Sequence, residues 1–147
     1  MTNWRESLGD FIEKTEGRSR AQIEGSALAN FIADVVIPAF QELKTELEKY
    51  GRQVTIRGAE ASATLLVTRN GEEEMSYRLL GRTFPNTVVP YAEVRYRERQ
   101  GLRFVSVEAM LRSGPPHYKL ADVSKDEVIR NFLDHYMRRV RPTKDED

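Results

Sequence analysis

The 147-residue chain, 39% apolar with 23 acidic and 23 basic side chains, has material for one domain with a real core, burying roughly 68 to 70% of its unfolded surface. Zero formal net charge excludes a general field that draws in a polyanion or an anionic membrane, so a charged partner has to meet a local patch. The absence of cysteine excludes disulfides, thiol nucleophiles and thiolate metal centres, and fits a reducing compartment.

The first residues include Trp4, Arg5, Glu6, Asp10, Glu13 and Lys14, where a secretory signal needs an unbroken apolar stretch. No run approaches the roughly 20 apolar residues that span a bilayer, so the expectation is a soluble cytoplasmic protein with no membrane partner. Trp4, Leu8, Phe11 and Ile12 fall at i, i+4, i+7 and i+8, the spacing of a short amphipathic helix. Such a helix is marginal alone and is expected to dock, either on its own domain or on a partner. The polar stretch from Thr15 to Gly25 separates it from the next apolar stripe. The expected organisation is an arm and linker over 1–25, one domain over 26–141 and a frayed tail over 142–147.

Leu28, Phe31, Ile32, Val35, Val36, Ala39, Phe40, Leu43, Leu47 and Tyr50 follow the i, i+3, i+4, i+7 rule and predict one face of a long helix. Pro38 removes the bond to the carbonyl of Asp34 and predicts a kink there, with the apolar phase carried across it from Val36 to Phe40. Gly51 suits the left-handed position just past the helix end.

Strand patterns fill the middle. Val54 and Ile56 alternate with polar neighbours, as do Ala63, Leu65 and Val67 before the turn residues Arg69, Asn70 and Gly71. A three-residue turn with Gly71 left-handed pairs Leu65 with Met75 and Ala63 with Tyr77, and the hydrophobic match favours it over a two-residue turn, which sets Leu65 opposite Ser76. The third strand is expected over about Glu72 to Leu80, with Met75, Tyr77 and Leu79 inward. Residues 81–90, holding Pro85 and Pro90, read as an extended crossing loop. Ala92, Val94 and Tyr96 then alternate with Glu93, Arg95 and Arg97, and after a turn near Gln100 and Gly101 the residues Val105, Val107 and Ala109 form the apolar face of a fifth strand. Ser113, Gly114, Pro115 and Pro116 end the sheet.

Ser124 and Glu127 have capping-box spacing ahead of a second helical stripe, Val128, Ile129, Phe132, Leu133, Tyr136, Met137 and Val140. Arg138, Arg139 and Arg141 close that helix where its dipole favours cations. The fold class is therefore α+β: a mainly antiparallel sheet of about five strands, packed on one face by a long kinked N-terminal helix and a C-terminal helix. This helix, sheet, helix order is similar to that of the small dimeric chaperones of bacterial secretion systems, which usually set a helix between the third and fourth strands where this chain has its proline-containing stretch.

No residue cluster announces a reaction. The chain lacks the nucleophile elbow, the phosphate-binding loop, the dinucleotide glycine fingerprint and the zinc-binding His-Glu-x-x-His helix, so neither cofactor nor metal is expected. Glu72, Glu73 and Glu74 alternate across a strand start and cannot all converge on one ion. Of the two histidines, His135 reads as a solvated residue on the polar side of the last helix, beside Asp134 and Arg138. His117, stiffened by Pro115 and Pro116 and followed by Tyr118, is the single loop site where a small enzyme could hold a general base.

Two binding surfaces remain. Residues 51–112 hold ten Arg against seven Glu, and Arg95 and Arg97 share the outward face of their strand with Phe104, joined by Arg78 and Arg82. Arginines beside an aromatic on an open sheet resemble a platform for single-stranded nucleic acid. Glu74, Glu93 and Glu108 are expected on that same face. The first expectation is nevertheless a non-catalytic protein-binding or adaptor module, self-associating as a homodimer, with Trp4, Leu8, Phe11 and Ile12 as the contact surface. Open sheet edges and an arm with the lone tryptophan are features that a second copy or a protein partner commonly satisfies.

Overall fold

Alternating apolar residues and two left-handed turn positions give the middle of the chain a simple meander. The computed structural model describes residues 4–8, 27–84, 87–97, 103–112 and 118–140. Strands β1 (Gln53–Gly58), β2 (Ser62–Arg69), β3 (Glu72–Phe84), β4 (Thr87–Arg97) and β5 (Phe104–Met110) lie side by side in chain order, each antiparallel to the next. Val54, Ala63, Leu65, Val67, Met75, Tyr77, Leu79, Ala92 and Val94 point to one face and are buried. The helices cover that face, so the chain is an α+β domain with a one-sided sheet.

Among the described residues, helix runs from residue 27 through a π-helical turn, Ile32–Val36, into α1 (Ile37–Lys49). Within that turn the Ile37 N–H bonds to the Ile32 carbonyl. This wider turn immediately precedes Pro38, the residue that cannot supply the regular bond, and π turns of this kind accommodate such interruptions. Phe31, Ile32, Val36, Ala39, Phe40, Leu43 and Leu47 are buried as the stripe predicts. Tyr50 is not: it caps the helix and stands 71% exposed. Gly51, at φ 83°, turns the chain left-handed, and the bonds from Gly51 N–H to Glu48 O and from Arg52 N–H to Leu47 O complete a Schellman ending.

At the other end of the domain, Ser124 caps α2 (Lys125–Arg139) by accepting from the Glu127 N–H. The Glu127 carboxylate does not reach back to close a capping box. It forms a two-pronged pair with Arg112 at 2.7 and 2.9 Å instead. Helix α2 lies beside α1 on the sheet, and Lys125 pairs with Glu42 between them. Tyr77 of β3 joins the layers: its ring meets Phe40 of α1 and Phe132 of α2 edge-on, at 5.9 and 5.3 Å between centroids. Its buried hydroxyl donates to Asn131 Oδ1, and burial raises its pKa.

Several expectations need correction. The β2–β3 turn is a two-residue one, Asn70 (φ 53°) and Gly71 (φ 81°), and Leu65 lies opposite Tyr77, with Val67 opposite Met75. The register shifts between Val67 and Thr68 because β3 carries one extra residue, Glu74, in a bulge. Turn plus bulge keeps Ala63, Leu65, Val67, Met75, Tyr77 and Leu79 on the helix side, which is the requirement that pointed to a three-residue turn. Residues 81–84 and 87–90 are not a crossing loop but two paired arms of a long hairpin, with Gly81 opposite Pro90 and Phe84 opposite Thr87. Pro90 sits one position beyond the last β4–β5 pair, so on that side its missing N–H costs no ladder bond. This direct hairpin also occupies the place where the secretion-chaperone resemblance would require a helix.

On α2, Val128 and Phe132 are buried and Ile129, Leu133, Tyr136 and Val140 pack against the core, but Met137 is 66% exposed. His135 is buried, at 2% exposure, and not solvated. Its position at i+7 from Val128 and i+3 from Phe132 puts it on the sheet-facing side. Phe11, Ile12, His117 and Arg141, with the turn near Gln100 and Gly101 and the sheet-ending Ser113 to Pro116, lie outside the described residues.

Candidate functional site

The outward face of the sheet lies opposite the one that α1 and α2 cover. On it, Ser76, Arg95 and Ser106 form one cross-strand row, and Arg78, Glu93 and Glu108 form the next. The small serines on either side of Arg95 leave a shallow groove across β3, β4 and β5. At one end of that groove, Arg95 and Arg97 both lie against the Phe104 ring, at 4.2 and 4.9 Å from its centroid. Farther along, Arg82 covers Tyr91 at 4.5 Å. The three residues that alternation assigns to one site, Arg95, Arg97 and Phe104, are thus brought together.

Arg78 is drawn into a different arrangement. It pairs with Glu93 at 3.1 Å, Arg82 pairs with Glu108 at 3.1 Å, and Arg95 pairs with Glu73 at 3.4 Å. Three of the arginines therefore already face carboxylates, and the positive potential of the face is cut accordingly. The acidic residue near Arg95 is Glu73 and not Glu74. The bulge redirects Glu74 to the helix side, where sequence alternation alone would not place it.

There Glu74 becomes the centre of a half-buried polar cluster. Tyr136 Oη donates to Glu74 Oε1 at 2.5 Å, and Arg52 donates from Nε to Glu74 Oε1 at 3.3 Å and to Tyr136 Oη at 3.1 Å. Arg52 Nη2 adds a bond to Glu74 Oε2 at 3.3 Å. Burial, reinforced by the adjacent carboxylate, pushes the Tyr136 phenol up to about 12. The cluster ties the end of α1, the β3 bulge and α2 together. Each of Arg52, Glu74 and Tyr136 is bonded to both of the others.

His135 is held nearby. Arg139 Nε approaches His135 Nδ1 at 3.3 Å, the Tyr77 ring lies 6.1 Å away, and Arg139 Nη1 reaches Tyr96 Oη at 3.4 Å. Burial first, then the positive charges of Arg139 and Arg138, lower the histidine pKa. It is a neutral imidazole enclosed by the core.

Trp4 and Leu8 fall on one helical segment, residues 4–8, and are 63% and 49% exposed. Arg5 lies over the Trp4 ring at 4.8 Å. Of the loop pair, only Tyr118 is described: it is partly buried under Arg112, whose guanidinium lies 4.4 Å from its ring, and burial raises its pKa. Among the described residues no group of three or more acidic or histidine side chains is placed to hold a metal ion. No helix among them is long and apolar enough to cross a membrane.

No protein-family model, curated protein or solved structure matches the chain.

Proposed function

We propose that the protein is a non-catalytic protein-binding or adaptor module that self-associates and acts in the cytoplasm. The observation that carries this reading is the exposure of Trp4 and Leu8 one helical turn apart, while the core cluster among the described residues does not include them. A tryptophan is the side chain most enriched where binding energy concentrates, and Leu8 lies on the same helical face. Phe11 and Ile12 continue that face in the sequence.

The test is deletion of residues 1–16, followed by light-scattering mass and affinity capture from native lysate with and without nuclease. Under this reading the truncated chain stays folded and either changes its oligomer mass or loses its protein partner. A truncated chain that keeps both mass and partner removes the arm from the proposal.

One observation favours a second reading, binding of single-stranded nucleic acid: the convergence of Arg95 and Arg97 on Phe104 at the groove end. Two phosphate contacts from these arginines give a log–log salt slope of about −1.4 for a single strand. Titration of a labelled oligonucleotide at two salt concentrations measures it. Binding that is absent, or indifferent to salt, ends this reading.

A further inference from the structure

We infer that β5 is a self-complementary edge and that a second copy of this chain pairs with it antiparallel about a twofold axis through Val107. The inference rests on the self-associating part of the reading above, assigns self-association to β5 and leaves the arm to a protein partner. Among the described residues β5 pairs only with β4, so its other side offers a row of backbone donors and acceptors. Sheet edges that must stay single usually carry lysine, proline or several charges. The β5 sequence Phe-Val-Ser-Val-Glu-Ala-Met has no proline and one charged residue. The opposite edge is different: β1 ends in Arg57 and Gly58, and α1 packs across it.

The order of residue types in β5 reads alike in both directions from Val107. Large apolar residues stand at the ends (Phe104, Met110), small apolar ones next (Val105, Ala109), then polar ones (Ser106, Glu108). Pairing about Val107 sets Val105 against Ala109 and Val107 against Val107 of the second copy on the helix side. On the outward side it sets Phe104 against Met110, a favourable sulfur–aromatic pairing, and Ser106 against Glu108. No charge meets its like directly across the dyad, and Glu108 keeps Arg82. Val105 and Ala109 are only partly buried and lie outside the main core cluster, although they point to the helix-covered face. A neighbouring strand covers them, continuing the one-sided sheet from one protomer into the next and satisfying the isologous rule for a twofold interface.

The absence of cysteine makes this directly testable in the full chain. In the Val107→Cys variant, residues facing each other across the dyad have Cβ atoms about 5 Å apart, close to disulfide range. Mild oxidation is expected to give a covalent dimer. Arg57→Cys, on the exposed end of β1, is the control and is expected to remain single. In parallel, Val105→Lys with Ala109→Lys places like charges opposite each other and is expected to halve the mass seen by sedimentation, while the chain lacking residues 1–16 stays dimeric. The inference is overturned by a wild-type chain that stays monomeric, by equal cross-linking of the two cysteine variants, or by a folded double-lysine variant that keeps the dimer mass. If the double-lysine variant does not fold, the cysteine pair decides. A dimer lost on deleting residues 1–16 with no Val107 cross-link transfers self-association to the arm, which overturns this inference and leaves the binding-module reading standing.

Discussion

Acidification is expected to destabilise the fold through His135. Its Nδ1 accepts from Arg139 Nε at 3.3 Å, so the imidazole proton sits on Nε2. Protonation converts Nδ1 into a donor aimed at a guanidinium, with Arg138 also close on the same helix and only Asp134 opposing. The folded-state pKa therefore lies below the ordinary value of about 6.5. A depressed pKa means that the unfolded chain takes up the proton first as pH falls. The stabilisation is complete above about pH 6.5 and is lost as pH drops through that value toward the folded pKa. One site contributes at most about 1.4 kcal/mol per pH unit, hence no more than about 2 kcal/mol between pH 6.5 and 5. Carboxylates titrate in the lower part of this range, so the assay is a difference: urea unfolding of wild type and of His135→Leu at several pH values from 7.5 to 5. Stability of the wild type should fall more steeply than that of the variant, with the two curves diverging below pH 6.5. Parallel curves refute the assignment of a buried, neutral His135.

Glu74→Ala leaves Arg52 and the Tyr136 hydroxyl without their shared acceptor in a site where the Arg52 and Glu74 side chains are only 20% and 14% exposed. A loss of about 1 to 3 kcal/mol in urea unfolding is expected, and an unmoved midpoint would show that the cluster contributes nothing. Gly81→Ala brings a Cβ to within 2.8 Å of Val88 Cγ1 and 3.0 Å of Leu28 Cδ2, both ends of movable side chains. It should cost about 1 kcal/mol by overpacking, read as a lower melting temperature. Gly71→Ala meets open space but must hold φ at 81°, so about 1 to 2 kcal/mol is expected from backbone strain alone; equal stability would place the strain elsewhere.

Periodicity, and therefore facing, is what the residues make legible. The two helical stripes, the inward rows from Val54 to Val94 and the left-handed Gly51 all arise from local spacing that the core then enforces. Register is harder because facing repeats every two residues: Leu65 opposite Met75 or opposite Tyr77 buries the same set, and only the bulge at Glu74 distinguishes them. Residues 81–84 and 87–90 are extended as the sequence implies, yet whether extended chain pairs depends on a neighbour that local sequence does not name. His135 is legible by spacing, since its distance from Val128 and Phe132 is the core rule itself, but the polarity of imidazole argues for solvent and misleads. At the outward face, alternation is enough to bring Arg95, Arg97 and Phe104 together, but the pairing of Arg95 with Glu73 depends on the bulge.

The meander order has a kinetic consequence. Each strand finds its partner across a short connection, so the sheet can assemble by successive local zippering, in the manner of chains with low contact order. Among the described elements, a long-distance encounter joins α2 to α1, closing Tyr77 between Phe40 and Phe132. Substitutions along this seam are expected to act on the folding rate differently from those in the hairpins.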